Sequence, residues 1–224
     1  MLQVENLTFQ YPNTSTPIFQ DLLFSLCAGS SAAIVGPSGS GKSTFFQLLT
    51  GALPAFQGKI SFQGREIDSS LVTYMMQKDL LLPWKTVYEN VRLIDELGKE
   101  KKKASSERAL QLIARVGLSD SLHLYPKSLS FGMRQRASLA RALLRCRPFL
   151  FLDEAFSAVD PYQKKELHAL VLEEQTKRQF TLLVITHDLE EAYSVGKSVY
   201  FLSKGKLHKA PSKEAFHSFF TGEV

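Results

Sequence analysis

The chain has 224 residues, a length that suits one large domain or two small lobes. Its 27 basic and 22 acidic residues give a formal charge of +5, which is too weak and too scattered to indicate a nucleic-acid partner. Hydrophobic residues make up 44% of the chain and charged residues 22%, as in ordinary globular proteins, so a disordered or fibrous chain is excluded.

The cysteines and the apolar runs exclude further classes of protein. Cys27 and Cys146 lie in separate segments without a CxxC pair, so we expect two buried free thiols rather than a zinc site or a disulfide framework. No signal peptide is visible, and the longest apolar runs fall far short of the roughly 20 residues that span a bilayer. We therefore expect a soluble, cytosolic chain that reaches a membrane only through a partner.

The first third of the chain has the pattern of antiparallel strands. Residues 1–30 and 55–76 fit this pattern, and a hairpin is predicted to turn at Gln63 and Gly64. From about residue 85 to residue 130 the pattern is helical and polar. A later helix in this region is predicted to present one face formed by Leu110, Ile113, Ala114 and Gly117.

Short polar patterns add detail to the helical region and to the end of the chain. Thr86 with Glu89 fits a capping box, which predicts the start of a helix. The lysine-rich run 99–103 is expected to be a solvated tip, although such a run can also contact an anionic surface. Beyond the strand predicted at 199–202 we expect a turn at Lys204 and Gly205, and then a short final helix.

The rest of the chain alternates short apolar runs with helical patterns. Runs at 32–35, 150–152 and 181–186 have the length of strands buried on both faces, as in a parallel sheet covered by helices. Helices are predicted at 43–50, 134–145 and 161–177, the last with Asp160 as its cap and Pro161 in its first position. This alternation predicts an α/β fold.

A phosphate-binding motif follows the first of these runs. Its sequence is Gly36-Pro37-Ser38-Gly39-Ser40-Gly41-Lys42-Ser43, which matches GxxxxGK[ST]. Glycines let the backbone aim successive N–H groups inward, and the following helix adds its positive dipole end. We expect Lys42 to reach the β- and γ-phosphates, Ser43 to ligate Mg²⁺ and Thr44 to bind the α-phosphate. Because the motif lies between a predicted strand and a predicted helix, we predict nucleotide binding.

Acidic residues follow the second buried run. Ligands of an open parallel sheet bind at the carboxyl ends of its strands, which places Asp153 to hold Mg²⁺, usually through water, and Glu154 to polarise an attacking water. The next strand is followed by His187, which we expect to hydrogen-bond the γ-phosphate or the water. Asp188 with Glu191 is expected to cap a helix.

Several motifs now stand in one order along the chain. They are the loop 36–43, Gln77 after a predicted strand, Leu129-Ser130-Phe131-Gly132-Met133-Arg134-Gln135, Asp153-Glu154, the segment 157–160 and His187. Over essentially the whole chain this order closely resembles the ATP-binding subunit of ABC transporters. The phosphate loop is shared by many NTPases, whereas the signature-like segment followed by Asp153, Glu154 and His187 is far more specific.

The resemblance implies an α/β P-loop NTPase core with a mostly parallel sheet, an antiparallel β subdomain and a helical subdomain. The whole chain would be one ATP-binding domain, with residues 1–76 and 131–224 as the nucleotide-binding core and about 77–130 as the helical part. ATP and Mg²⁺ are the cofactors that it implies. Its partner would be a second ATPase subunit, for which both a homodimer and a heterodimer stay open.

The resemblance also implies roles for individual residues. Tyr11 would stack on adenine, and Gln77 would touch Mg²⁺ or water and sense the membrane partner. Ser130 and Gly132 would grip the γ-phosphate bound to the opposite subunit, and residues 157–160 would link the two sites across the dimer. Each chain would thus hold half of a catalytic site.

Phe131 departs from the LSGGQ signature of the family, because it replaces the first glycine. Met133 replaces the glutamine, as in many importer subunits. We expect Phe131 to alter the contact with ATP rather than to abolish function; a degenerate site and pairing with a different ATPase subunit stay open.

Residues 77–91 resemble importers of the nitrate, sulfonate, taurine and thiamine-precursor group. This resemblance implies transmembrane permease subunits, a solute-binding protein and a location at the cytoplasmic face of the membrane. Residues 80–82 and Trp84 would lie near the permease, with plain core packing as the alternative.

Other functions fit the sequence less well than import does. A non-transport ABC ATPase would be expected to carry a coiled-coil insertion, a second cassette or a basic stripe, and a small-substrate kinase has no use for the signature segment or for His187. A catalytically weak regulatory subunit stays open because of Phe131.

Overall fold

The computed structural model describes residues 1–12, 14–53, 57–67, 70–93, 103–145, 147–210 and 212–213. Within these residues the strands form two sheets. The first is antiparallel and has the order β2-β1-β4-β5; its strands are β1 (Leu2–Phe9), β2 (Phe19–Leu26), β4 (Gln57–Phe62) and β5 (Arg65–Glu66). The predicted hairpin at Gln63 and Gly64 joins β4 to β5, and is confirmed.

The second sheet forms the centre of the molecule and has the order β10-β9-β3-β8-β7-β6. Its strands are β3 (Ser31–Val35), β6 (Val72–Met75), β7 (Phe149–Asp153), β8 (Thr181–Ile185), β9 (Ser198–Ser203) and β10 (Lys206–Ala210). All neighbours are parallel except β9 and β10, which form a hairpin at one edge. Every residue of β3, β7 and β8 is buried, which confirms the parallel sheet predicted from the apolar runs.

The helices surround this sheet. They are α1 (Lys42–Leu49), α2 (Val87–Val91), α3 (Lys103–Arg115), α4 (Phe131–Arg145), α5 (Pro161–Arg178) and α6 (Leu189–Val195), with single 3₁₀ turns at Ser119–Ser121 and Pro126–Ser128. The predicted caps are confirmed. Thr86 and Glu89 form a capping box at α2, and Asp160 and Asp188 accept backbone N–H groups at the starts of α5 and α6. No helix of the described residues is long and apolar enough to cross a membrane.

Two main hydrophobic clusters pack on opposite faces of the central sheet. One joins the antiparallel sheet to α1 and includes Phe45, Phe149 and Phe151; the other packs α2 to α5 against the sheet and includes Leu150 and Leu152. Residues of β7 therefore alternate between the clusters, as expected of a strand covered on both faces. This packing fixes the carboxyl end of β7 beside the loop between β3 and α1.

Three expectations were wrong in detail. Strand β6, within the segment expected to be antiparallel, pairs in parallel with β7 and so belongs to the central sheet. Cys27, directly after the last residue of β2, is exposed rather than buried. Of the helix face predicted from Leu110, Ile113, Ala114 and Gly117, Ile113 is buried and the other three residues are exposed; the buried face of α3 is formed by Ala109, Leu112, Ile113 and Val116. Cys146, nearly all of the lysine-rich run and nearly all of the predicted final helix lie outside the described residues.

Candidate active site

A cavity of about 480 Å³ opens at the carboxyl end of the central sheet. One wall consists of residues of the predicted phosphate loop and the first turn of α1. The opposite wall is formed by Gln77, Glu154 and His187, which come from three separate segments of the chain. Ile18 completes the lining and was not among the residues predicted from the sequence.

The glycines of the loop are required by its close packing. Gly41 has φ +99°, a region that favours glycine, and a Cβ there would lie 2.7 Å from Cγ2 of Ile18. A Cβ on Gly36 would lie 2.5 Å from the carbonyl oxygen of Leu202. A side chain at either position would displace the loop. Glycine at both positions therefore keeps the backbone N–H groups of the loop available to a ligand.

Lys42 lies across its own loop. Its Nζ donates hydrogen bonds to the carbonyl oxygens of Gly36 at 2.8 Å and Pro37 at 2.9 Å, and the residue is 8% exposed. Burial lowers the pKa of Lys42, while the charges of Glu154 and Asp153 oppose that shift. The ammonium group is therefore positioned before any ligand arrives.

Asp153 is buried at the end of β7 and is hydrogen-bonded from two sides. The Tyr74 hydroxyl donates to Oδ2 at 2.9 Å, and the Ser43 side chain also hydrogen-bonds the carboxylate. Burial raises the pKa of Asp153, and these two hydrogen bonds oppose the rise because they stabilise the ionised form. The pKa of Tyr74 is raised, by burial first and then by the neighbouring Asp153 charge. Tyr74 was not predicted, since only the pairing of β6 with β7 brings it here.

The oxygen atoms of Ser43 and Asp153 fit a magnesium ion. Mg²⁺ prefers hard oxygen ligands and is usually held by one or two carboxylates together with substrate phosphates. The described residues contain no group of three or more His, Cys, Asp and Glu that could form an all-protein cage. A single carboxylate and a hydroxyl next to a phosphate loop therefore suit Mg²⁺ better than a metal such as zinc.

Glu154 directs its carboxylate into the cavity, where one neighbour hydrogen-bonds it and a second lies close by. Nε2 of Gln77 donates to Oε2 at 2.9 Å, and Nδ1 of His187 lies 3.5 Å from Oε1. The residue has φ +48°, a strained conformation for a residue other than glycine, and its N–H donates to the carbonyl oxygen of Ile185. The three residues predicted to share the catalytic role thus lie together.

Tyr11 and Thr44 lie together at one side of the loop. The Tyr11 hydroxyl is 3.3 Å from Oγ1 of Thr44, and its ring packs edge-on against Phe9 at 5.0 Å between centroids. Thr44 lines the cavity, whereas Tyr11 is not among its lining residues.

Oγ of Ser40, in the phosphate loop, is buried without a hydrogen-bond partner among the described residues.

Ser130 and Gly132 stand at the start of α4, outside the lining of the cavity. Oγ of Ser130 accepts the Met133 N–H at 3.2 Å, and a Cβ on Gly132 would lie 2.7 Å from the carbonyl oxygen of Ala158. The structure thus places the signature-like segment against the segment 157–160. Phe131 is 44% exposed, with the Arg134 guanidinium 5.6 Å from the centre of its ring.

Gln135 joins the same two segments and was not predicted from the sequence. It is 1% exposed, its Oε1 accepts the Ala158 N–H at 3.1 Å, and its Nε2 donates to Oγ of Ser157 at 3.3 Å. It closes the signature-like segment 129–135, but its contact with residues 157 and 158 could not be predicted, because that contact depends on how α4 packs.

The segment that begins at Gln77 is anchored to α4. Arg134 forms an ion pair with Asp79 at 3.0 Å, and Arg141 donates to the carbonyl oxygens of Asp79 at 2.6 Å and Leu80 at 2.9 Å. Leu80 is 56% exposed and Trp84 69%, whereas Leu81 is buried. Leu81 is therefore packed in the core, whereas the permease contact predicted for Leu80 and Trp84 stays a prediction that their exposure permits.

Comparisons with known proteins give one consistent result. A model of the ABC transporter family matches residues 19–157. The chain is 38% identical over 210 residues to the formylaminopyrimidine import ATP-binding protein ThiZ of Halalkalibacterium halodurans, a match that covers 93% of this chain and 82% of that protein. It is 31% identical over 212 residues to the aliphatic sulfonates import ATP-binding protein SsuB of Bacillus subtilis, with coverage of 93% and 82%.

Among solved structures, cbiO1 from Clostridium perfringens, part of the ABC transporter complex cbiONQ, superposes with a TM-score of 0.83 at 25% identity and covers 98% of this chain and 92% of that one. The α/β core expected of a P-loop ABC ATPase is therefore confirmed. With the family match and the related sequences, it follows that this chain belongs to the ABC transporter family, as an ATP-binding and ATP-hydrolysing subunit.

Proposed function

We propose that this chain hydrolyses ATP to power the import of a small solute, as one of two ATPase subunits bound to transmembrane permease subunits at the cytoplasmic face of the membrane. The import direction is supported by the printed names of ThiZ and SsuB, which are import ATP-binding proteins. A solute-binding protein completes the proposed assembly. Residues 1–76 and 131–224 act as the nucleotide-binding core, and about 77–130 as the helical part that meets the permease.

The observation that carries this proposal is the convergence of Glu154, Gln77 and His187 on the cavity that Lys42 lines. The loop N–H groups and Lys42 bind the phosphates, and Thr44 lies beside them. Ser43, Asp153 and Gln77 would hold Mg²⁺, which would supply positive charge to the phosphates. Tyr11 is the residue proposed to contact the base.

Catalysis in this arrangement depends on positioning and electrostatics. Glu154 orients the attacking water through a carboxylate that Gln77 holds by a hydrogen bond and that faces His187. Because Lys42 already spans the loop, its charge stabilises the phosphates with little rearrangement. His187 is 66% exposed in its side chain and is free to turn toward a bound γ-phosphate.

The second ATPase subunit is proposed because the signature-like residues do not line the cavity of their own chain. Ser130 and Gly132 of one copy are proposed to close the cavity of the other, so that two ATP molecules are shared between two subunits. A homodimer is the simplest form, since both halves of the site are then supplied by one sequence.

Cysteine crosslinking tests this arrangement. In a background that lacks Cys27 and Cys146, Ser130→Cys and Ser38→Cys are combined with Glu154→Gln, which is expected to slow hydrolysis and to trap ATP-bound dimers. An intermolecular disulfide should form with ATP and not without it. Ser25→Cys, on an exposed position of β2, replaces Ser130→Cys as the control and should not crosslink.

Failure of the 130–38 crosslink in ATP-loaded, slowly hydrolysing protein would refute the shared site. The permease contact is tested separately, by co-purification with the membrane subunits. Trp84→Ala should weaken that association while the ATPase activity of the free subunit is kept. Tyr162→Ala, which removes another exposed aromatic side chain, is the control.

A further inference from the structure

A basic groove is formed by residues that do not line the nucleotide cavity. Two cavities form it, of which the smaller is lined by residues of the edge strand β6. One, of about 70 Å³, lies between β6 and α4 and is lined by Thr73, Ser138, Arg141 and Arg145. The other, of about 410 Å³, is bordered by Arg147 and Arg178, and a narrow space lined by Thr73, Arg147 and Arg178 connects the two. We call this feature the arginine groove.

Two residues that line the small cavity each have a buried polar atom without a partner among the described residues. Thr73 is 5% exposed, and its Oγ1 makes no hydrogen bond with any described residue. Nε of Arg145 is likewise buried without a partner in the described part of the chain. Buried polar groups in folded proteins are nearly always hydrogen-bonded, so two orphans on one cavity indicate a ligand or ordered solvent that bonds to both.

The groove has an excess of positive charge. Among the described residues no carboxylate lies within ion-pair distance of Arg145 or Arg147. Burial lowers the pKa of Arg145, and the charge of Arg147 lowers it further. Arg178 is 3.9 Å from Glu174, but that carboxylate also pairs with Arg108. Guanidinium groups that repel each other in a buried groove favour an anion between them.

We propose that the small cavity of the arginine groove binds a tetrahedral oxyanion, inorganic phosphate or sulfate, with Nε of Arg145 and the Thr73 hydroxyl as donors. An oxyanion satisfies both orphan groups, whereas a water molecule would bond to them without offsetting the charge. The cavity volume suits one such ion rather than a nucleotide. Oγ of Ser138 accepts a bond from Arg141, which leaves its O–H able to donate to the same ion.

The site is separate from the nucleotide cavity, but one of its lining residues also contacts the segment that begins at Gln77. Arg141 lines the small cavity and also holds the carbonyl oxygens of Asp79 and Leu80. The Arg141 side chain would therefore lie between a bound anion and the segment that begins at Gln77. The proposal goes beyond ATP hydrolysis and does not depend on the import direction.

Calorimetric titration with phosphate, and separately with sulfate, tests the proposal. Because the phosphate loop also attracts anions, the protein carries Glu154→Gln and is saturated with ATP in EDTA, and ionic strength is held constant with chloride. We expect one saturable anion per chain in at least one arm, and the tighter arm identifies the preferred ion. Arg145→Gln should weaken binding tenfold or more, and Thr73→Val several-fold.

Two controls keep the result interpretable. Arg65→Gln, at an exposed position of β5, removes one arginine elsewhere and should leave the affinity unchanged. Thr73→Val removes an unbonded buried hydroxyl, so the variant should unfold at the same denaturant concentration as the parent or at a higher one in the absence of the anion. No saturable binding in either arm, or equal binding by Arg145→Gln and the parent, would overturn the proposal, and the cavity would then hold only water.

Discussion

The Tyr74→Phe substitution would test the role of the buried carboxylate at the end of β7. The change removes one oxygen atom and nothing else, so the ring keeps its edge-on contact with Phe46 at 5.7 Å. Asp153 loses the hydrogen bond that it accepts at 2.9 Å, but keeps the one with Ser43. We expect the affinity for Mg²⁺ to fall, because one hydrogen bond to Asp153 is lost. The affinity for ATP should be largely retained, because the phosphate loop is untouched.

The size of the effect follows from the kind of bond that is lost. Tyr74 hydrogen-bonds a carboxylate that is itself a proposed metal ligand, and losing a partner that orients a ligand typically costs about 10- to 100-fold in metal affinity. The apparent affinity for Mg²⁺ should therefore fall by roughly that factor. The bond with Tyr74 also opposes the rise in the pKa of Asp153 that burial causes, so its loss raises that pKa further. The metal needs the ionised carboxylate. When the pH is lowered, the variant should therefore lose Mg²⁺ affinity at a higher pH than the parent does.

The assay is the initial rate of phosphate release at saturating ATP against free Mg²⁺, repeated at neutral and at mildly acidic pH. Tyr200→Phe is the matched control, because Tyr200 is also partly buried but packs against Phe24, away from Asp153. An unchanged Mg²⁺ dependence in Tyr74→Phe at both pH values would refute the inference that the Tyr74 hydroxyl prepares Asp153 for the metal.

Two further predictions concern turnover and stability. Phe131→Gly should raise ATP turnover a few-fold if the exposed ring hinders closure over ATP, and a fall in the measured turnover would instead make Phe131 part of the contact. His168 is 4% exposed, and burial, reinforced by the charge of Lys164, lowers its pKa to about 4. An unfolded histidine titrates near 6.5, so the unfolded chain binds more protons between these values, and stability should fall by up to about 3 kcal/mol as the pH drops from about 6.5 to 4. Urea unfolding across this range should show a free energy of unfolding that depends less on pH in His168→Asn, whose amide can still bond to Ser194, than in the parent. His123→Asn, at an exposed position, is the control and should behave like the parent. The same pH dependence in all three proteins would exclude His168 as the cause.

The nucleotide loop was predictable because its chemistry is local. Gly41 needs a positive φ, Lys42 must follow it to reach back over the loop, and both requirements are met by neighbours in the sequence. Caps are local in the same way: Asp160 accepts the N–H of Gln163, three residues further on. Spacing along the chain therefore determines these features before any tertiary contact forms.

Residues whose partners are distant in sequence could not be found by spacing. Tyr74 reaches Asp153 across 79 positions, and only the parallel pairing of β6 with β7 makes them neighbours. The error at α3 has a related cause, because several apolar residues near 110 allow more than one helical phase. The phase that buries Leu112 rather than Leu110 is selected by packing against the cluster that includes α4 and is not encoded in α3 alone.

The segment after Gln77 shows how local and distant contacts combine in one element. Its fold is local, since the buried Asn90 accepts the Leu82 N–H at 2.7 Å and donates to the carbonyl oxygens of Leu82 and Lys85. Its position is set from a distance, by Arg141 on α4. Because the same segment begins at the bond between Gln77 and Glu154 and exposes Trp84 at its other end, a displacement of Trp84 would be passed both to the carboxylate and to α4. Coupling between a partner and the site thus needs no rearrangement of the central sheet, only movement of an element whose internal hydrogen bonds keep it together.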